Sequence, residues 1–194
     1  MNLKAEETTD TPTSETLKRF LIELFDRLGK DEIAYCILRN YANIPDFIGN
    51  DIDMLVHPRE KHRFQSIILQ IAEETDWKVV KISRRYGYRS YWFRSMLDSS
   101  YIHFDVWTLI HWKGLRWMDE NILLAKRRVY KSFYIPDAVH ENCILLLKDL
   151  VQIGKVRKKY RGNIEAIAGS NASALIDCLE WGIGTDPAKL IYRR

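Results

Sequence analysis

The sequence predicts an α+β fold: a mixed β-sheet with helices packed on one face, followed by a helical C-terminal part. Strand-like runs rich in β-branched and aromatic residues dominate from residue 33 to 110. Helical periodicity takes over after residue 114. Aspartates also sit inside two otherwise apolar strand segments, where that residue is disfavoured.

Residues 1–13, rich in Thr and Glu, read as a flexible tail. Leu17, Phe20, Leu21, Leu24, Phe25 and Leu28 then recur at helical spacing, and Gly29 ends the run. Residues 33–38 form a short apolar run that predicts a buried strand. Residues 39–50 are a polar loop holding Pro45 and Gly49, and residues 51–57 predict the next strand, stopped by Pro58. Residues 59–74 return to helical period, with Phe64, Ile67, Ile68 and Ile71 on one stripe. Residues 77–83 and 88–96 predict a strand pair joined by a turn at 84–87. After a turn at 98–100, residues 101–110 predict another strand. Helices are expected at 115–126, at 137–153 behind Pro136, and at 171–181. The chain thus divides into a tail (1–13), a core (14–114) and a helical C-terminal region (115–194).

The 194 residues are 46% hydrophobic and 29% charged, enough to fill a core without disulfides or structural metal. A formal charge of +4 suits a phosphate-binding protein without requiring one. Cys36, Cys143 and Cys178 are far apart and lack zinc or redox spacing, so they read as reduced thiols in a cytoplasmic protein. The polar, acidic start does not read as a secretory signal, and no apolar run is long enough to insert in a bilayer. Walker, GxGxxG, GxSxG and HExxH motifs are missing, which disfavours P-loop kinases, Rossmann oxidoreductases and α/β-hydrolases.

The segment Asn50-Asp51-Ile52-Asp53-Met54-Leu55-Val56 is the most informative. Side chains alternate across a strand, so Asp51 and Asp53 share one face, while Ile52, Met54 and Val56 take the other. Like charges held that close repel unless a cation sits between them. Asp105 interrupts the apolar strand 101–107 in the same way. If the two strands are neighbours, three carboxylates meet. Such a trio suits hard divalent ions, Mg²⁺ or Mn²⁺, shared with substrate phosphates.

The order of elements and the run ILRNYANIPDFIGNDIDMLV resemble the polymerase-β-like nucleotidyltransferase superfamily. The nearest likeness is to bacterial nucleotidyltransferase-like proteins often encoded among surface-polysaccharide genes. The resemblance spans about residues 15–115, with a looser likeness through LLLKDLVQIGKVRKKYR. It implies that Asp51 and Asp53 bind metal, and that Asp105 completes the site and helps activate an acceptor hydroxyl. It further implies an NTP donor and, from the gene context alone, a sugar or sugar phosphate as acceptor. The superfamily usually carries Gly-Ser after the first strand, where this chain has Arg39-Asn40. Arg39 can bind phosphate through its planar fork and Asn40 through its amide, or Arg39 can be an ordinary ion-pair partner.

Other segments leave alternatives open. Lys113 follows the Asp105 strand and is either within reach of a triphosphate or a solvated loop lysine. His103 should share a face with Asp105 in a regular strand and line the same cleft. Residues 84–94 interleave Arg with aromatics, and residues 155–161 are strongly basic. Both read as a plain hairpin and a solvated helix end, or together as an RNA-binding surface. The function readings are therefore a nucleotidyltransferase, a catalytically inactive nucleotide-binding or scaffold protein of the same fold, and an RNA-binding module.

Overall fold

A computed structural model describes residues 11–112 and 115–192. In chain order its elements are β1 (Thr11–Pro12), α1 (Glu15–Lys30), β2 (Tyr35–Ile37), β3 (Phe47–Ile48), β4 (Ile52–Val56) and α2 (Lys61–Glu74). Then come β5 (Trp77–Arg85), β6 (Tyr88–Ser95), β7 (Tyr101–Trp107), β8 (His111–Trp112) and β9 (Leu115–Arg116). The rest is α3 (Glu120–Ala125), β10 (Arg128–Tyr130), β11 (Phe133–Ile135), α4 (Ala138–Ile153), α5 (Lys158–Ser170), α6 (Ala172–Ile183) and α7 (Thr185–Tyr192). The architecture is α+β around a five-stranded mixed sheet of order β2-β4-β7-β6-β5. The central pair β4–β7 is parallel, and the other neighbours are antiparallel.

α1 starts where Ser14 Oγ accepts from the Leu17 amide at 3.3 Å. Glu15 in its first turn and Arg27 and Lys30 in its last complement the helix dipole. Its apolar stripe is wholly buried, as are Phe64, Ile67, Ile68, Ile71 and Ala72 of α2. Both helices lie on the sheet face that carries Ile52, Met54, Phe93, Phe104 and Val106. Phe20 sits at the centre, with ring centroids 5.3 Å from Trp77, 5.6 Å from Phe93 and 5.9 Å from Phe104. Burying each such side chain contributes about 1.5–3 kcal/mol.

The opposite sheet face is divided. Over β2 and β4 it is apolar, and Cys36, Leu38 and Leu55 pack with α4, α5 and α6 in a second core. Helices therefore reach both faces, which refines the expectation of one. α4 begins at Asp137, whose Oδ1 accepts from the Val139 amide at 2.9 Å, and it ends at Gly154 with φ +77°. Asp149 is fully buried and accepts from Arg157 N and Nε, each at 2.8 Å, tying α4 to the start of α5. Over β7, β6 and β5 the same face mixes polar and aromatic side chains, and a groove there is lined by Lys81, Arg85, Tyr88, Ser90 and Trp92.

Several expectations need correction. Thr11–Pro12 pair with Phe47–Ile48, and the Thr13 amide donates to Asp46 O at 2.9 Å, so residues 11–13 belong to the fold rather than a tail. Residues 1–10 lie outside the described residues. Only Glu120–Ala125 of the expected helix 115–126 is helical. Glu120 is buried there because it accepts from Arg116 and from the Ile110 amide, which holds 115–116 against β8 instead. The hairpin β10–β11 and helices α5 and α7 had no strong periodic signal. No helix among the described residues is long and apolar enough to cross a membrane.

A Cβ added at Gly182 in α6 would lie 2.4 Å from the Trp117 carbonyl oxygen, whereas one at Gly162 in α5 meets nothing within 4 Å. Gly182→Ala should therefore lower the unfolding temperature, costing about 1–3 kcal/mol of overpacking. Gly162→Ala should raise it, since alanine is favoured by about 1 kcal/mol inside a helix. Thermal unfolding followed by circular dichroism checks both.

Candidate functional site

The parallel register of β4 and β7 sets Asp53 directly opposite Asp105. Partners in a ladder are about 5 Å apart and project to the same face. Strand alternation adds Asp51, just ahead of β4, and His103, two residues before Asp105. β6 continues the row, with Ser90 opposite Asp105 and Trp92 opposite His103. The carboxylates thus lie on the polar half of the face, at the border of the second core.

Donor atoms of Asp51, His103 and Asp105 all lie within 4.8 Å of one another, so these three can hold a metal ion. Asp53 is 3% exposed, and its Oδ2 accepts from Arg39 Nε at 2.5 Å. Arg39 Nη2 also stands 4.0 Å from Asp51 Oδ2. Burial works against the charge on Arg39, but Asp53 and then Asp51 outweigh it and raise its pKa. The Asp51 carboxyl is pushed up first by burial, then by the neighbouring charge of Asp53, while Arg39 opposes. His103 Nε2 is 2.8 Å from Asp105 Oδ1, but not at a hydrogen-bonding angle, and this nitrogen stays buried without a hydrogen bond. Tyr88 Oη donates to Asp105 Oδ1. Burial and that hydrogen bond push the Tyr88 phenol up to about 12.

The structure places the remaining expected residues differently. Arg39 lies two residues past the end of β2, after Leu38 N donates to Asp53 O at 2.9 Å, and it meets the carboxylates. Asn40 is exposed with a left-handed backbone, φ +55°. Lys113 lies outside the described residues. The basic segments are partly engaged internally: Arg157 binds Asp149, and Arg94 sits 5.4 Å from the Tyr101 ring.

Three residues near the site escaped the sequence reading. Tyr88 and Trp92 reach it through the β6–β7 register, which the sequence does not display. Lys148, on the buried side of α4, lines a cavity of about 40 Å³ with Arg39, Asp53 and Trp107. It forms no ion pair with any described residue, and burial, opposed by Asp53 and reinforced by Arg39, lowers its pKa. A charge inside the apolar run 144–150 was its available signal. A larger groove of about 510 Å³ runs over β5 and β6, lined by Lys81, Arg85, Tyr88, Ser90 and Trp92.

The arrangement has a definite chemical capacity. Carboxylates and an imidazole face a shared point, cations stand on the α4 side, and an open groove lies on the β5 side. The donor atoms of Asp51, His103 and Asp105 suit a divalent cation.

No family model matches the chain, and no curated protein matches it. Among solved structures, the crystal structure of JHP933 from Helicobacter pylori is similar over 93% of this chain and 79% of that one. The TM-score is 0.48 and the sequence identity 9%.

Proposed function

We propose that this chain is a metal-dependent nucleotidyltransferase that moves a nucleoside monophosphate from an NTP to an acceptor hydroxyl or phosphate. The observation that carries the proposal is the convergence of Asp51, Asp53, His103 and Asp105 on one sheet face, with Arg39 and Lys148 beside them. A divalent cation held there, Mg²⁺ or Mn²⁺, supplies charge neutralisation at the phosphoryl oxygens.

The chain's own residues divide the remaining work. Asp51 and Asp105 present oxygens toward the shared point, and Asp53 completes the acidic row. Arg39 neutralises Asp53 in the free protein and can turn its guanidinium to the incoming triphosphate. Lys148, half-buried and in no ion pair with a described residue, shares a cavity with Arg39 and Asp53 and would bind the β- and γ-phosphates. Tyr88 holds one Asp105 oxygen, leaving the other free to take the acceptor proton. The acceptor oxygen then bonds to the α-phosphorus, the α–β phosphoanhydride bond breaks, and pyrophosphate leaves with that electron pair. The acceptor would enter from the groove over β5 and β6, across the carboxylates from Arg39 and Lys148. A sugar or sugar phosphate remains the proposed acceptor.

One observation favours a second reading. The ion pair between Arg39 and Asp53 already satisfies a carboxylate that catalysis would use, as expected of an inactive nucleotide-binding or scaffold protein. Metal-dependent NTP binding with no pyrophosphate release against any acceptor would select that reading.

An unfolding panel with Mn²⁺ or Mg²⁺ and each NTP tests the site. A nucleotide present at about 100 times its Kd should add about 2.7 kcal/mol, a rise of roughly 5–10 °C for this chain length. Asp105→Asn and Asp51→Asn should abolish the metal-dependent part of that rise. Unchanged stabilisation in both variants would refute the proposal. Lys148→Ala should weaken NTP binding by about tenfold, the scale of one lost charge-assisted contact. Loss of nucleoside monophosphate binding by the same factor would contradict a β,γ-phosphate role.

The raised Asp51 pKa fixes a pH dependence. Above the ordinary carboxylate range the native state holds more protons than the unfolded state, so metal-free stability falls as pH rises through that window. Asp51→Asn should flatten this slope and, in chelator at neutral pH, raise the unfolding temperature. Metal affinity should weaken as pH falls through the same window, because the proton and cation compete. Melting curves across acidic to neutral pH, with and without chelator, check both signs.

A further inference from the structure

We propose that the metal centre is a mixed imidazole–carboxylate site, with His103 Nε2 as a direct ligand beside Asp51 and Asp105, selecting Mn²⁺ or a later first-row ion over Mg²⁺. It rests on the reading above only in placing a cation at these carboxylates.

Asp53, the expected third ligand, is not in the group of donor atoms within 4.8 Å, whereas His103 is. The Asp53 oxygen is instead held by Arg39 at 2.5 Å. Donors bonded to one ion at about 2.1 Å each can be at most about 4.2 Å apart, so a set already within 4.8 Å would need little movement to share an ion. His103 Nε2 is buried and lacks a hydrogen bond, an arrangement that costs free energy unless something else satisfies it. Its ring is fixed in place: Trp92 stacks on it at 4.1 Å between centroids and 11° between planes. That stacking leaves little freedom for the ring to turn from Asp105. Mg²⁺ takes oxygen donors and gives up water reluctantly, while first-row transition ions accept imidazole more readily, least for Mn²⁺ and increasingly for Co²⁺ and the ions beyond it. The rival account makes His103 only a charge partner of Asp105, with no effect on which ion binds.

Calorimetric titration of the full chain with MnCl₂ and with MgCl₂, without nucleotide, separates the two. The parent should bind Mn²⁺ at least about tenfold more tightly than Mg²⁺. His103→Asn should lose about 10–100-fold in Mn²⁺ affinity and little in Mg²⁺ affinity, collapsing the ratio. His103→Asp, which restores an oxygen donor, should raise Mg²⁺ affinity. A Mn²⁺/Mg²⁺ ratio that is the same in the parent and in His103→Asn overturns the proposal. Should the variants unfold in chelator, the parent alone decides: Co²⁺ should quench tryptophan emission through Trp92, and absence of quenching overturns the proposal. Binding through His103 without NTP turnover would leave this inference standing and end the enzyme reading. Turnover with an ion preference indifferent to His103 would do the reverse.

Discussion

The parallel pairing of β4 with β7 is the constraint on which the site depends. It joins strands that are distant in sequence, with α2 and the β5–β6 hairpin between them, and sets Asp53 opposite Asp105. A slip of one residue would send every side chain of a strand to the other face. Ile52, Met54 and Val56 on one side, and Phe104 and Val106 on the other, prevent that slip because they are buried under α1 and α2. The acidic row is thus held in place by the apolar row behind it, and folding energy spent on the core also determines the chemistry of the opposite face.

Charge on that face is arranged rather than merely accumulated. Asp51 is held above its ordinary pKa by burial and by Asp53, while Arg39 offsets part of the repulsion. Lys148 adds a second cation from α4, with burial lowering its pKa and Asp53 opposing. Arg39 and Lys148 border the second core, whereas Lys81 and Arg85 lie across the groove. Two cationic regions therefore flank one acidic line. Such a layout holds charged groups in fixed positions on both sides of the carboxylates, so an anion bound beside them would meet cations already in place.

Much of this was legible in the sequence, for identifiable reasons. Period-two alternation placed Asp51 with Asp53 and His103 with Asp105, because both strands bury their intervening residues. The stripe from Leu17 to Leu28 announced α1, and Phe64 to Ile71 announced α2. What could not be read was pairing. Strand order decides whether Asp105 meets Asp53, and register decides that Tyr88 and Trp92 face Asp105 and His103. The engagement of Arg39 with Asp53 depends on the turn after β2, and Lys148 arrives on a helix far along the chain. The helix expected at 115–126 was shortened because Glu120 is buried in partnership with Arg116 and the Ile110 amide, a tertiary demand that local propensity does not contain.

The central claim is that Asp51, just ahead of β4, and Asp105 of β7 share one cation. An anomalous-difference map from crystals grown with Mn²⁺ measures this directly. The account predicts a single strong peak within about 2.3 Å of oxygens from both Asp51 and Asp105. A peak elsewhere, or coordinates in which β4 and β7 are not neighbours, would contradict it.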